Sequence, residues 1–146
     1  MTTTTRSHGR QPEVVLILVG LALNGAWEAL VTPLYADASR GWWYLLWTRA
    51  HCSAGDVLIL LAAHAVTALV FRDRHWTGGS RHGAAVLFVT LGFGYTVWSE
   101  WFNARPGGSW EYADAMPTLL GIGVAPLAQW ILVPVLLLVI ARRCRP

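Results

Sequence analysis

Apolar residues gather into four long runs, at about residues 14–34, 53–71, 83–103 and 117–141, separated by polar and turn-forming stretches. Each run is near the roughly 20 residues that a membrane-spanning helix needs. The pattern therefore predicts an all-α fold, a polytopic bundle of four transmembrane helices forming one integral membrane domain over residues 1–146. Stretches such as Leu58 to Leu61 and Val133 to Ile140 are continuously apolar, whereas a membrane β-barrel alternates in polarity over segments of about 10 residues. Segment 42–51 (WWYLLWTRAH) is too short and too polar at its end to span, and reads as a short interfacial or re-entrant helix between the first two spans. Pro117 suits the first position of the last helix, and Gly121 and Gly123 with Pro126 predict close packing and a bend within it.

Composition supports this pattern and narrows it. Of 146 residues 55% are hydrophobic and only 13% are charged, lysine is absent, and the mean hydropathy is +0.45. Such a chain reads as an integral membrane protein. The first run follows Arg6 and Arg10 as in a signal peptide, but cleavage after Ala26 would set Asn24 where a small residue is wanted. It is read as a retained helix.

The arginines orient the bundle. With four spans, the N-terminus, the second connection and the C-terminus share one side, which carries Arg6, Arg10, Arg72, Arg74, Arg81, Arg142, Arg143 and Arg145. The other side carries Arg40, Arg49 and Arg105. The positive-inside rule then places both termini in the cytoplasm, with 35–52 and 104–116 outside. The net charge of +3 comes from arginines at membrane edges, so nucleic acid is not an expected partner. Cys52 and Cys144 fall on opposite faces and cannot pair.

This orientation gathers the candidate chemistry. Glu28, Asp56 and Glu100 interrupt three different apolar runs, and a charge inside hydrocarbon is costly enough to mark a functional residue by default. Counted at about 1.5 Å per residue, all three fall roughly 21–26 Å above the cytoplasmic edge of a core about 30 Å thick. Asn24, Tyr95 and Gln129 lie somewhat deeper as a polar floor, and Asn24 shares a helix face with Glu28. Trp27, Trp98, Trp101, Trp110 and Tyr112 supply aromatic walls, and Arg49 with His51 forms a lip able to relay protons. The competing structural reading is that each acid pairs with an arginine or an indole N–H and ties helices together, with Arg49 and Arg105 at suitable depth. Six tryptophans crowd the outer side while Trp76 alone marks the inner edge, where an ordinary aromatic belt would populate both.

Other chemistries find little support. The two cysteines form no CxxC pair, and no ExxH motif accompanies the carboxylates, which leaves a divalent cation on carboxylates and His51 as a lesser alternative. His51 and His64 share one stretch, but no histidine on another span completes a haem axial pair, and His64 is expected to make a helix-packing hydrogen bond. No metal and no cofactor are therefore predicted.

The strings AWEALVTPLY, AGDVLIL, YTVWSEW, SWEYADAMP and GIGVAPLAQW, in this order over nearly the full length, resemble a group of small four-helix bacterial membrane proteins without an assigned activity. That resemblance implies fold and layout only. In architecture the chain is also similar to membrane-embedded isomerases and terpene or carotenoid cyclases, which set carboxylates and aromatics in a helical bundle.

Together these features lead to an expected function. It is an intramembrane acid–base enzyme acting on a lipophilic, isoprenoid-like substrate, with Glu28 or Asp56 as acid, Glu100 receiving the returning proton, and indole faces stabilising developing positive charge. The alternatives are a proton- or cation-coupled transporter or channel-like subunit, and an accessory subunit binding a quinone or pigment. A homo-oligomer or a larger membrane complex is compatible with each.

Overall fold

The computed structural model describes residues 11–104 and 108–143. It is 78% helical, with four helices: α1 (Pro12–Val31), α2 (Trp42–Phe71), α3 (His82–Asn103) and α4 (Val124–Arg143). A two-stranded hairpin, β1 (Thr118–Leu119) and β2 (Ile122–Gly123), precedes α4. Each helix packs against two neighbours, α1 on α2 and α4, and α3 on α2 and α4, so the four form a closed ring of antiparallel helices.

Local chemistry sets the helix ends. Pro12 occupies the first turn of α1, where its missing N–H costs nothing. Arg72 ends α2 in the left-handed region, φ 51°, with its N–H turned back to the carbonyls of Ala68 and Leu69. Arg142 and Arg143 lie in the last turn of α4, where cations complement the helix dipole.

Three helices, α1 with its following 3-10 turn, α2 and α4, are long and apolar enough to cross a membrane. This is the pattern of a membrane protein. The third expected span, α3, has the length, at 22 residues, but carries Thr90, Tyr95, Thr96, Ser99, Glu100 and Asn103 and falls below the same apolarity. Large apolar side chains point away from the bundle, with Leu30 73%, Leu58 67% and Leu69 77% exposed. In hydrocarbon such a surface is solvated by lipid tails.

Two predicted boundaries are corrected. Segment 42–51 is not a separate interfacial helix, because it continues without a break into α2, a helix of 30 residues. No glycine or proline stands at the junction around His51 to Ala54 to stop the helix, and hydropathy alone does not report where a helix begins. The last helix starts at Val124, not at Pro117, whose carbonyl instead accepts the Val124 N–H at 2.8 Å. Residues 118–123 form the hairpin, with Leu120 at φ 52° and Gly121 at φ 80° in the pair of positive-φ positions that a two-residue primed turn requires. Gly121 thus serves the turn and not a bend in α4; Pro126 lies in the first turn of that helix and Pro134 in its interior.

Two clusters make up the core. The larger joins Leu16, Leu60, Phe88, Trp130 and Leu137 with Trp76 from the connection between α2 and α3. The smaller, Val31, Met116 and Ala125 with Trp27, Tyr35 and Tyr112 against it, lies where α1 ends and α4 begins. Helices approach closely at Gly20, where an added Cβ would sit 3.1 Å from Leu60, and at Gly92, which lies against the Trp130 ring.

Candidate functional site

Side chains from all four helices converge at the end of the bundle formed by the C-termini of α1 and α3. Glu28 and Asn24, one turn apart on α1, are buried at 6% and 1% exposure. Asn24 donates to the carbonyl of Gly20 and accepts at 2.9 Å from the Gln129 amide of α4, whose same nitrogen donates to Asp56 of α2 at 2.8 Å. This floor joins three helices through neutral donors. Among the described residues Asp56 has no cationic partner.

Glu28 is held differently. Its carboxylate faces the Arg49 guanidinium at 3.5 Å, and Arg49 also bonds Asp37 in the turn after α1. The guanidinium stands 4.9 Å above the Tyr35 ring, and its Nε is buried without a hydrogen-bond partner. Glu100 has a third kind of environment, accepting from the Trp110 indole at 3.2 Å and from the Tyr112 hydroxyl. The Tyr112 oxygen in turn accepts the Gly123 N–H at 3.0 Å, which fixes the hairpin to the end of α3.

Backbone pairing assembles the roof. Tyr35 and Tyr112 form an antiparallel bridge, the Ala36 N–H donates to Glu111, and the Ala113 N–H donates to Leu34, each at 3.0 Å. The two tyrosine rings lie 5.9 Å apart. Burial pushes both phenols above the usual tyrosine range, so they remain hydrogen-bond donors. The three acids lie within Coulombic reach of one another. Glu28, Asp37, Asp56 and Glu100 thus stand at this end of the bundle, with the Arg49 guanidinium paired to the first two. The gap on the far side of Asn24, lined by Leu60, Trp130, Val133 and Pro134, has no room for a water molecule.

The structure brings Glu28, Asp56, Glu100, Asn24, Gln129, Arg49, Trp110 and Tyr112 together. Trp27 packs at the edge of the smaller core cluster with its indole nitrogen buried and unpartnered. Tyr95, Trp98 and Trp101 are placed elsewhere. They are 46%, 55% and 59% exposed on the outer face of α3, whose inner face is the stripe Ala84, Phe88, Gly92, Thr96, Glu100. Tyr95 is accordingly not part of the floor. His51 is also exposed, stacked near Trp47 at 6.5 Å, and Arg49 sits within the cluster instead of at its lip. Arg105, Cys144 and the arginines at 6, 10 and 145 lie outside the described residues; Cys52 is a free thiol. Among the described residues no three histidine, cysteine or acidic side chains are placed to hold a metal ion together.

Tyr35 and Asp37 were not legible as site residues, because they follow a 3-10 turn whose direction hydropathy does not encode. The available signal was the pair of tyrosine-containing loop strings, LYAD and EYAD, one beside each acid-bearing helix end.

Tyr112→Phe tests the roof. Removing the hydroxyl deprives Glu100 of one donor and the Gly123 N–H of its acceptor, a loss of about 2 kcal/mol. The variant should melt below wild type in detergent, and melting at the wild-type temperature would show that the phenol ties nothing.

No family model matches the chain, and no curated protein or solved structure is significantly similar to it.

Proposed function

We propose that this chain is an intramembrane enzyme of the bacterial inner membrane that performs acid–base chemistry, of isomerase or cyclase type, on a lipophilic, isoprenoid-like substrate. In this reading four helices span, α3 being sheltered from lipid on its acid-bearing face by its neighbours. Both termini are cytoplasmic and the carboxyl cluster opens outward. The observation that carries the proposal is that three neighbouring carboxyls have three different sets of partners: a cation for Glu28, one amide for Asp56, an indole and a phenol for Glu100. Acids whose surroundings differ in this way divide into donor and acceptor roles.

Asp56 is best placed to carry the transferable proton, since no cation holds it as an anion. Glu100, gripped by two neutral donors, receives the proton returned by the substrate. Glu28 with Arg49 is an electrostatic anchor that orients the layer.

Solvent deuterium provides the test. The protein in nanodiscs, incubated in D2O with an isoprenoid-rich bacterial lipid extract, should transfer deuterium into a lipid species detectable by mass spectrometry. Asp56→Asn and Glu100→Gln should each lower the rate by about 10²-fold or more. If no lipid species gains deuterium, or if both variants label as fast as wild type, acid–base catalysis by this cluster is ruled out.

A further inference from the structure

A second ionisable group lies at the opposite end of the bundle, outside the proposed site. His64 of α2 is 3% exposed, and among the described residues neither of its ring nitrogens has a hydrogen-bond partner. The expected helix-packing hydrogen bond is absent. The ring stacks near Trp76, centroids 5.7 Å apart, and the Trp76 indole nitrogen is also buried and unpartnered. Thr67, one turn further along α2, donates its hydroxyl hydrogen to the Ala63 carbonyl.

Glu13 of α1 offers an acceptor, its Oε1 at 3.7 Å from the His64 Nε2, inside ion-pair range and just beyond hydrogen-bond range. Glu13 is already engaged. The Arg74 guanidinium donates to its two oxygens at 2.7 and 3.1 Å and to Gln11 at 2.9 Å, tying the start of α1 to the connection between α2 and α3. Among the described residues Glu13, Arg74 and His75 are the titratable or charged groups that bear on the imidazole, and Trp76 on its face packs in turn against Phe88 of α3.

We propose that His64, Glu13 and Arg74 form a proton-operated latch: on protonation of the imidazole, Glu13 passes from Arg74 to His64 and frees the connection over residues 72–81. The energetics favour that exchange. A protonated imidazole with both N–H groups unpaired in a buried site is far more costly than the loss of an ion pair whose cation is largely in solvent. Closing the remaining gap requires a shift of well under the length of a side-chain bond. The proton stays on the ring, Glu13 remains an anion, and Arg74, already 58% exposed, turns to solvent. What is released is the segment whose short turn, Gly78 to His75 and Gly79 to Trp76, caps this end of the bundle.

Hydrogen–deuterium exchange in nanodiscs, compared at about pH 5.5 and about pH 7.5 after correction for intrinsic rates, reads the latch directly. The 72–81 peptide of wild type should exchange about threefold faster or more at the lower pH. His64→Gln should abolish that difference, and Glu13→Gln should exchange fast at both pH values. His75→Gln and His82→Gln should respond like wild type. Unchanged exchange in the Leu60 and Leu137 peptides shows that His64→Gln is folded, so its result is interpretable. A wild type without the pH difference, a His64→Gln variant that keeps it, or its loss in His75→Gln overturns the latch.

Discussion

Gly92→Ala should lower the melting temperature in detergent by on the order of 10 °C, whereas Gly94→Ala, two residues along the same helix, should leave it within about 2 °C of wild type. A Cβ at Gly92 would stand 2.2 and 2.4 Å from two carbons of the Trp130 ring, closer than carbon atoms approach in any relaxed structure. The ring has nowhere to go, since it is 4% exposed and packed in the cluster with Leu60, Phe88 and Leu137. The strain must be relieved by moving α3 from α4, which costs about 3 kcal/mol at the upper end of the range for overpacking. At Gly94 nothing lies within 4 Å of the added carbon, so it enters open space. Trp130 adjoins Gln129, so separating the helices should also loosen the Asp56–Gln129–Asn24 floor. Equal melting of the two variants would mean that α3 and α4 do not meet at this glycine.

Hydropathy and charge made the helical fold and the level of the acids readable, for a physical reason. Continuous apolar runs have few other uses, and an isolated carboxyl within one stands out against them. The Asn24–Glu28 spacing was likewise readable, because a helix turn fixes it. Helix rotation was not. Tyr95, Trp98 and Trp101 lie at the expected height, but the small residues Ala84, Gly92 and Thr96 turn the acid-bearing stripe of α3 inward and leave the aromatics outside. Large apolar side chains are equally at home against lipid, so a membrane helix lacks the polar outer face that fixes rotation in water. The start of α4 was missed because Leu120-Gly121 is not a strong turn dipeptide and the hairpin strands are two residues each. Loop contacts such as Tyr35 with Tyr112 depend on tertiary pairing that no local pattern records.

The largest effect at the site itself is expected from Arg49. Its side chain is 12% exposed and stands between Glu28, at 8%, and Asp37, at 21%. Arg49→Met keeps most of the stem but leaves two carboxylates without a counter-charge, a loss of about 3–5 kcal/mol. Arg49→Lys should recover little of it, because a single ammonium cannot present the guanidinium's separated N–H groups to Glu28 and Asp37 at once, nor lie flat over Tyr35. The triple variant Arg49→Met, Glu28→Gln, Asp37→Asn removes the stranded charges along with the cation and should regain most of the stability. Melting curves of the four proteins distinguish this account from simple loss of packing, which would leave the triple variant no better than the single one. Because the triple variant also lacks the Glu28 anion, its deuterium-transfer rate with a restored fold separates the contribution of the ion pair to the chemistry from its contribution to stability.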